Sequence, residues 1–163
     1  MSRPPFLVPT GELFRHPGAR QRVTLAGPLP GVALSTAQLT GDDVVADVVL
    51  EAQAGQVIVS GTVTARWAGE CRRCLEPTAG DLTVELQEVF DPHPVEGETY
   101  PLGRDDIDLE PVVREALALA LPLAPLCRED CPGPDPDAHP VRTDDAEAPA
   151  DPRWAALDRL RFE

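Results

Sequence analysis

The 163-residue sequence has no lysine: all fourteen basic residues are arginine, set against 28 acidic ones, for a formal net charge of −14. A protein that holds nucleic acid by wholesale phosphate neutralisation needs a basic surface, so this balance argues against that class. It favours a basic partner, or RNA contact through a small local patch. Aromatic residues are only 4 % of the chain, so any core must be built from Val, Leu and Ala within a hydrophobic fraction of 42 %. No apolar run reaches the roughly 18 residues of a membrane-spanning helix. The start, Met1-Ser2-Arg3-Pro4-Pro5, has one positive charge and no apolar signal segment. These absences predict a cytoplasmic protein with no membrane partner. A phosphate-cradling Gly loop, a Ser nucleophile elbow and a His-Glu zinc-hydrolase motif are also missing. The expectation is a protein that is not an enzyme and takes no small-molecule substrate.

Proline and glycine are plentiful, at nineteen and twelve residues, so much of the chain should be loop. The clearest regular pattern is a strand in which Val57, Val59, Gly61, Val63, Ala65 and Trp67 share one face and Ile58, Ser60, Thr62, Thr64 and Arg66 the other. Ala46, Val48, Leu50 and Ala52 mark a strand before it, across an Ala54-Gly55 turn. Leu82, Val84 and Leu86 mark one after it. Phe6-Leu7-Val8 and Val23 to Ala26 are shorter strand candidates, and residues 27–41 and 91–103 read as loops. Connections this short make an antiparallel meander. Asp108 then caps a helix in which Leu109, Val112, Val113, Ala116, Leu117, Ala120 and Leu121 form an apolar stripe, ended by Pro122. The predicted fold is α+β: one antiparallel sheet, open or curled toward a barrel, packed by one main amphipathic helix. Residues 1–131 form the domain and 132–152 a disordered acidic, Pro-rich linker. Residues 153–163 form a short helix that must dock on something, with Trp154, Leu157 and Leu160 on one side.

The four cysteines fall in two close pairs, Cys71 with Cys74 and Cys127 with Cys131. Each pair can offer two thiolates from one turn, and a fold that joins the turns would make a closed tetrahedral zinc site. The predicted metal ligands are therefore Cys71, Cys74, Cys127 and Cys131, holding a structural Zn²⁺. His139 is an alternative ligand. Four reduced thiols without metal, or a redox pair at Cys71 and Cys74, are the competing readings. The redox pair is disfavoured because it wants a helix N-terminus. Arg66, Arg72 and Arg73, at the same hairpin tip, are candidate RNA contacts through bidentate phosphate binding. Their plainer reading, favoured by the acidity of the chain, is solvation of the turn or compensation of thiolate charge.

Cys71-Arg72-Arg73-Cys74-Leu75-Glu76-Pro77, the helix, Leu121-Pro122-Leu123-Ala124-Pro125-Leu126-Cys127, Asp130-Cys131 and Asp151-Pro152-Arg153-Trp154-Ala155-Ala156-Leu157 together resemble the YceD family. Glu12-Leu13-Phe14-Arg15-His16-Pro17-Gly18 is similar to its actinobacterial branch. The resemblance implies a non-enzymatic factor in ribosome biogenesis that supports maturation or accumulation of large-subunit (23S) rRNA. Its implied partners are ribosomal or pre-ribosomal proteins, the rRNA itself, or both. Many relatives continue with Gly-Leu-Cys-Pro-x-Cys-Gly, where this chain has Pro132-Gly133-Pro134-Asp135-Pro136-Asp137. If their metal used that later pair, this chain lacks that site. Two other functions fit the residues: an acidic protein–protein adaptor without RNA contact, and a thiol redox sensor.

Overall fold

A computed structural model describes residues 4–16, 18–135 and 137–138 of the chain. Its body is a five-stranded sheet in the order β2(Arg20–Gly27), β3(Ala37–Gln53), β4(Gln56–Glu70), β5(Pro77–Asp91), β6(Tyr100–Pro101). The first four strands form an antiparallel meander, and β6 joins β5 in parallel. A separate antiparallel pair joins β1(Leu7–Pro9) to β7(Asp106–Asp108), just before α1(Glu110–Ala120).

The alternation in β4 explains the layering. Val57, Val59, Val63 and Ala65 are buried while Ser60, Thr64 and Arg66 are exposed. Ala46, Val48 and Leu50 of β3 and Leu86 and Phe90 of β5 share that buried face. Ala54 and Gly55 both take positive φ (52° and 87°), the geometry of a tight hairpin turn between β3 and β4. Gly61 lies opposite Val48 and Leu86, and a side chain on it would drive into the Asp47 carbonyl. β3 presses close at that point, and only glycine fits. The register between β3 and β4 slips between Thr40 and Val45, beginning at Gly41 with φ 85°. Such a bulge increases local twist and lets a 17-residue strand bend.

Helix α1 covers the inner face against β5 and β4, burying Val112, Val113 and Leu117. An Asp108 carboxylate oxygen accepts the Glu110 N–H at 2.9 Å, and Pro111 follows in the first turn, where its missing N–H costs nothing. Phe6, Val8, Ile107 and Leu109 close one end of the core, with the Leu109 N–H donating to the Phe6 carbonyl at 3.0 Å. Each fully buried Val, Leu or Phe contributes about 1.5–3 kcal/mol. A core of this kind therefore stands without many aromatic residues.

Three expectations need correction. The sheet is open rather than curled into a barrel: its last strand, β6, is two residues long and runs parallel to β5, and β2 lies at the other edge. Residues 27–41, read as loop from Pro28, Pro30 and Gly31, include the first turn-proximal part of β3 from Ala37 onward. Residues 91–103, also read as loop, contribute β6. Among the described residues no helix is long and apolar enough to cross a membrane. His139, Trp154, the terminal segment 153–163 and all of the proposed linker beyond residue 138 lie outside the described residues.

Candidate metal centre

The hairpin β4–β5 ends in a six-residue turn, 71–76, whose shape is fixed by its own backbone. The Cys71 N–H donates to the Glu76 carbonyl at 2.8 Å and the Leu75 N–H to the Cys71 carbonyl at 2.8 Å. Closing the turn this tightly puts Leu75 at φ 62°, a left-handed conformation that a leucine adopts at a cost. The second turn follows α1. Its Pro125 carbonyl accepts the Arg72 N–H at 2.9 Å, so the two turns are joined by backbone. The Cys131 N–H donates to the Arg128 carbonyl at 3.2 Å, and the Thr36 hydroxyl donates to the Pro122 carbonyl at 3.2 Å.

This docking brings the four sulfurs together. Cys71 Sγ lies 3.8 Å from Cys131 Sγ, and Cys74 Sγ lies 3.8 Å from Cys127 Sγ. All four fall within 4.8 Å of one another. Bonded sulfurs would be about 2.05 Å apart, so these are free thiols. Four sulfurs around a zinc ion at about 2.3 Å form a tetrahedron with an edge of about 3.8 Å, the separation of the two pairs. The chemistry of the donor set fits a metal ion that prefers sulfur, and four protein ligands leave no position open for a substrate. Cys71 and Cys131 are buried, Cys74 half-buried and Cys127 exposed, so the cluster sits at the surface end of the sheet.

The electrostatics divide the four unequally. N–H groups of Cys74, then Cys127 and Arg73, point at the Cys71 sulfur and lower its pKa to about 6, against the opposing effect of burial. Cys127 is pushed up to about 12, first by its contact with Cys131, then by desolvation and the remaining thiols. Cys74 feels the Glu76 N–H most strongly, which lowers its pKa, but burial and the Cys71 and Cys131 sulfurs together raise it. Sulfurs this close resist collecting negative charge: contact with Cys131 raises Cys127, and Cys71 and Cys131 raise Cys74. A divalent ion removes that conflict, because it is itself the largest charge present.

The three candidate RNA contacts are differently placed. Arg73 donates from Nη1 to the carbonyls of Glu129 (2.9 Å) and Cys131 (3.0 Å), clamping one Cys turn onto the other. Arg66 pairs with Asp81 at 3.5 Å on the exposed face of the sheet. Arg72 is exposed, and no described carboxylate pairs with it. The sequence offered no sign of the Arg73 clamp, because its acceptors are backbone carbonyls 56 and 58 positions away. Beside the cluster runs a groove of about 600 Å³, lined by Leu34, Ala37, Ala68, Cys71, Leu75 and Pro125 among others.

A family model described as "Large ribosomal RNA subunit accumulation protein YceD" matches residues 59–161, a span that takes in both cysteine pairs. Among curated proteins, an uncharacterized protein of Mycobacterium tuberculosis and one of Mycobacterium bovis are each 35 % identical over 169 aligned residues, covering 94 % of this chain and 80 % of theirs. An uncharacterized protein of Mycobacterium leprae is 34 % identical over 133 residues, 74 % of this chain and 60 % of its own. No solved structure matches. The hairpin-tip cysteine pair, the helix and the second pair thus occur in the order of a known pattern, and this chain belongs to the YceD family of large ribosomal RNA subunit accumulation proteins.

Proposed function

We propose that the chain is a non-enzymatic cytoplasmic factor that supports maturation or accumulation of large-subunit (23S) rRNA, with one structural Zn²⁺ held by Cys71, Cys74, Cys127 and Cys131. The observation that carries the ribosomal part is the family match over residues 59–161. The zinc is supported by the sulfur cluster and its 3.8 Å edges. Zinc at this end fastens the hairpin tip to the segment after α1 and so presents a rigid surface containing Arg72. Depleting the protein in its own cells, with the ratio of large- to small-subunit rRNA as readout, is the test. A fall in that ratio, with large-subunit rRNA or its proteins recovered on the tagged chain, is the expected result. An unchanged ratio contradicts the proposal.

A second reading is favoured by one observation. Arg66 is paired to Asp81 and Arg73 is turned onto backbone carbonyls, which leaves Arg72 as the one of the three with no described partner, against a net charge of −14. An acidic adaptor that meets a basic ribosomal protein, without touching RNA, has this charge pattern. Purified protein would then retain no rRNA at any salt concentration, whereas an RNA binder loses retention as salt rises.

A further inference from the structure

The groove beside the cysteine cluster is lined by Leu34, Ala37, Ala68, Leu75 and Pro125. Leu75 is 66 % exposed on a backbone held at φ 62°, an apolar side chain at a left-handed turn position beside this groove. Most of that side chain has no cover in the described part of the chain. It gains if something apolar lies against it.

We propose that residues 153–160 of the same chain dock in this groove through Trp154, Leu157 and Leu160. Four observations select this occupant. The three side chains recur at helical spacing in a segment too short to hold a helix alone, so it requires a surface. The chain passes beside the groove: Cys131 Sγ is 3.8 Å from the sulfur of Cys71, a groove residue. Twenty-one residues, 132–152, separate Cys131 from Arg153, and even a Gly-rich chain of that length spans roughly 25 Å. A tethered segment meets its site at an effective concentration in the millimolar range, so even modest apolar contact fills the groove. Third, the charges around the groove can be met. Arg72 and Glu70 stand at its rim, and Asp151, Arg153 and Asp158 flank the apolar side chains. Fourth, the family match runs from residue 59 to 161, so one pattern spans both the hairpin-tip wall of the groove and this segment.

The test is tryptophan fluorescence of the full chain carrying Trp67→Phe, so that Trp154 is the only reporter. The expected result is short-wavelength emission, protected from acrylamide and independent of protein concentration. Leu75→Asp should shift that emission to the wavelength of free tryptophan. Asp tolerates left-handed φ, so this substitution removes the apolar wall with little strain of its own. A solvent-exposed spectrum before any groove substitution overturns the proposal and leaves the groove to an external partner. Short-wavelength emission that Leu75→Asp leaves unchanged overturns it too, placing Trp154 elsewhere. Emission that becomes short-wavelength only at high concentration would mean docking onto a second copy, and also overturns it. If Trp67→Phe fails to fold, nuclear Overhauser contacts between the Trp154 indole and the Leu75 methyls of the unaltered chain decide the question. Their presence supports docking, and their absence overturns it.

Discussion

The two ends of the β4–β5 hairpin are held by different physics. Near the β3–β4 turn and α1, Val57, Val59, Leu86, Phe90, Val113 and Leu117 are buried against one another, and burial alone accounts for order. At the tip, Leu75 and Leu123 are 66 % and 79 % exposed, and what is buried is sulfur: Cys71 and Cys131. The tip has backbone hydrogen bonds, one arginine clamp and a cysteine cluster where the other end has an apolar core. A metal can stand in for hydrophobic burial where too little apolar surface is available. The two ends should therefore fail independently and under different treatments.

The largest effect belongs to the apolar end. Phe90 is 1 % exposed, and its ring lies 5.5 Å from that of Tyr100. Phe90→Ala should cost about 3–5 kcal/mol and lower the unfolding midpoint of the sheet. Chemical denaturation followed by far-UV circular dichroism measures it. A cost below about 1 kcal/mol would mean that burial does not hold this end.

Next comes selective failure of the tip. A strong chelator should expose the amides of 71–76 and 127–131 to hydrogen exchange while those of β3 and β4 near Val48 and Val59 stay protected. Loss of protection throughout would show that the sheet depends on the cluster and would abolish the distinction between the ends. A smaller effect is expected from Arg73→Ala, which removes the two bonds to the Glu129 and Cys131 carbonyls. Supporting groups around a metal typically alter its affinity about 10–100-fold. Because Arg73 is exposed, a loss near the lower end is expected, read by competition with a zinc indicator, with little change in sheet stability.

The smallest effect is a titration at the far end. Tyr100, the only tyrosine of the chain, is raised to about 12, first by desolvation and then by its hydroxyl donating to Glu115 at 2.6 Å. A raised value means the fold favours the neutral phenol. Its contribution is complete below the ordinary value of 10 and is lost as pH rises from there through about 12. Tyrosinate absorbance should therefore show a late midpoint, and Glu115→Gln should move it back toward the ordinary value. A midpoint already at the ordinary value would contradict the packing of β6 against α1.

Much of the apolar end was legible in the sequence because period-two alternation is a local signal. Val57 to Ala65 showed it, and the Ala54-Gly55 turn sat where such a strand must reverse. The α1 stripe was legible for the same reason at the helical period. The bulge after Thr40 was not, because Gly41 inside a polar stretch looks the same in a loop as in a bent strand. Strand β6 escaped because two residues pairing in parallel leave no pattern. At the tip, the cysteine spacing announced which residues would meet. From sequence Arg73 suits a phosphate contact, a solvated turn or a counter-charge to thiolate, since a bond to a backbone carbonyl depends on where the chain returns rather than on which residues it contains.

The comparison rests on a metal at the tip, and elemental analysis of full-length protein purified without added metal measures this most directly. The account predicts one zinc per chain, with Cys71→Ser or Cys131→Ser protein containing little or none while the sheet signal persists. Folded protein with no bound metal and four thiols titrating freely would contradict it.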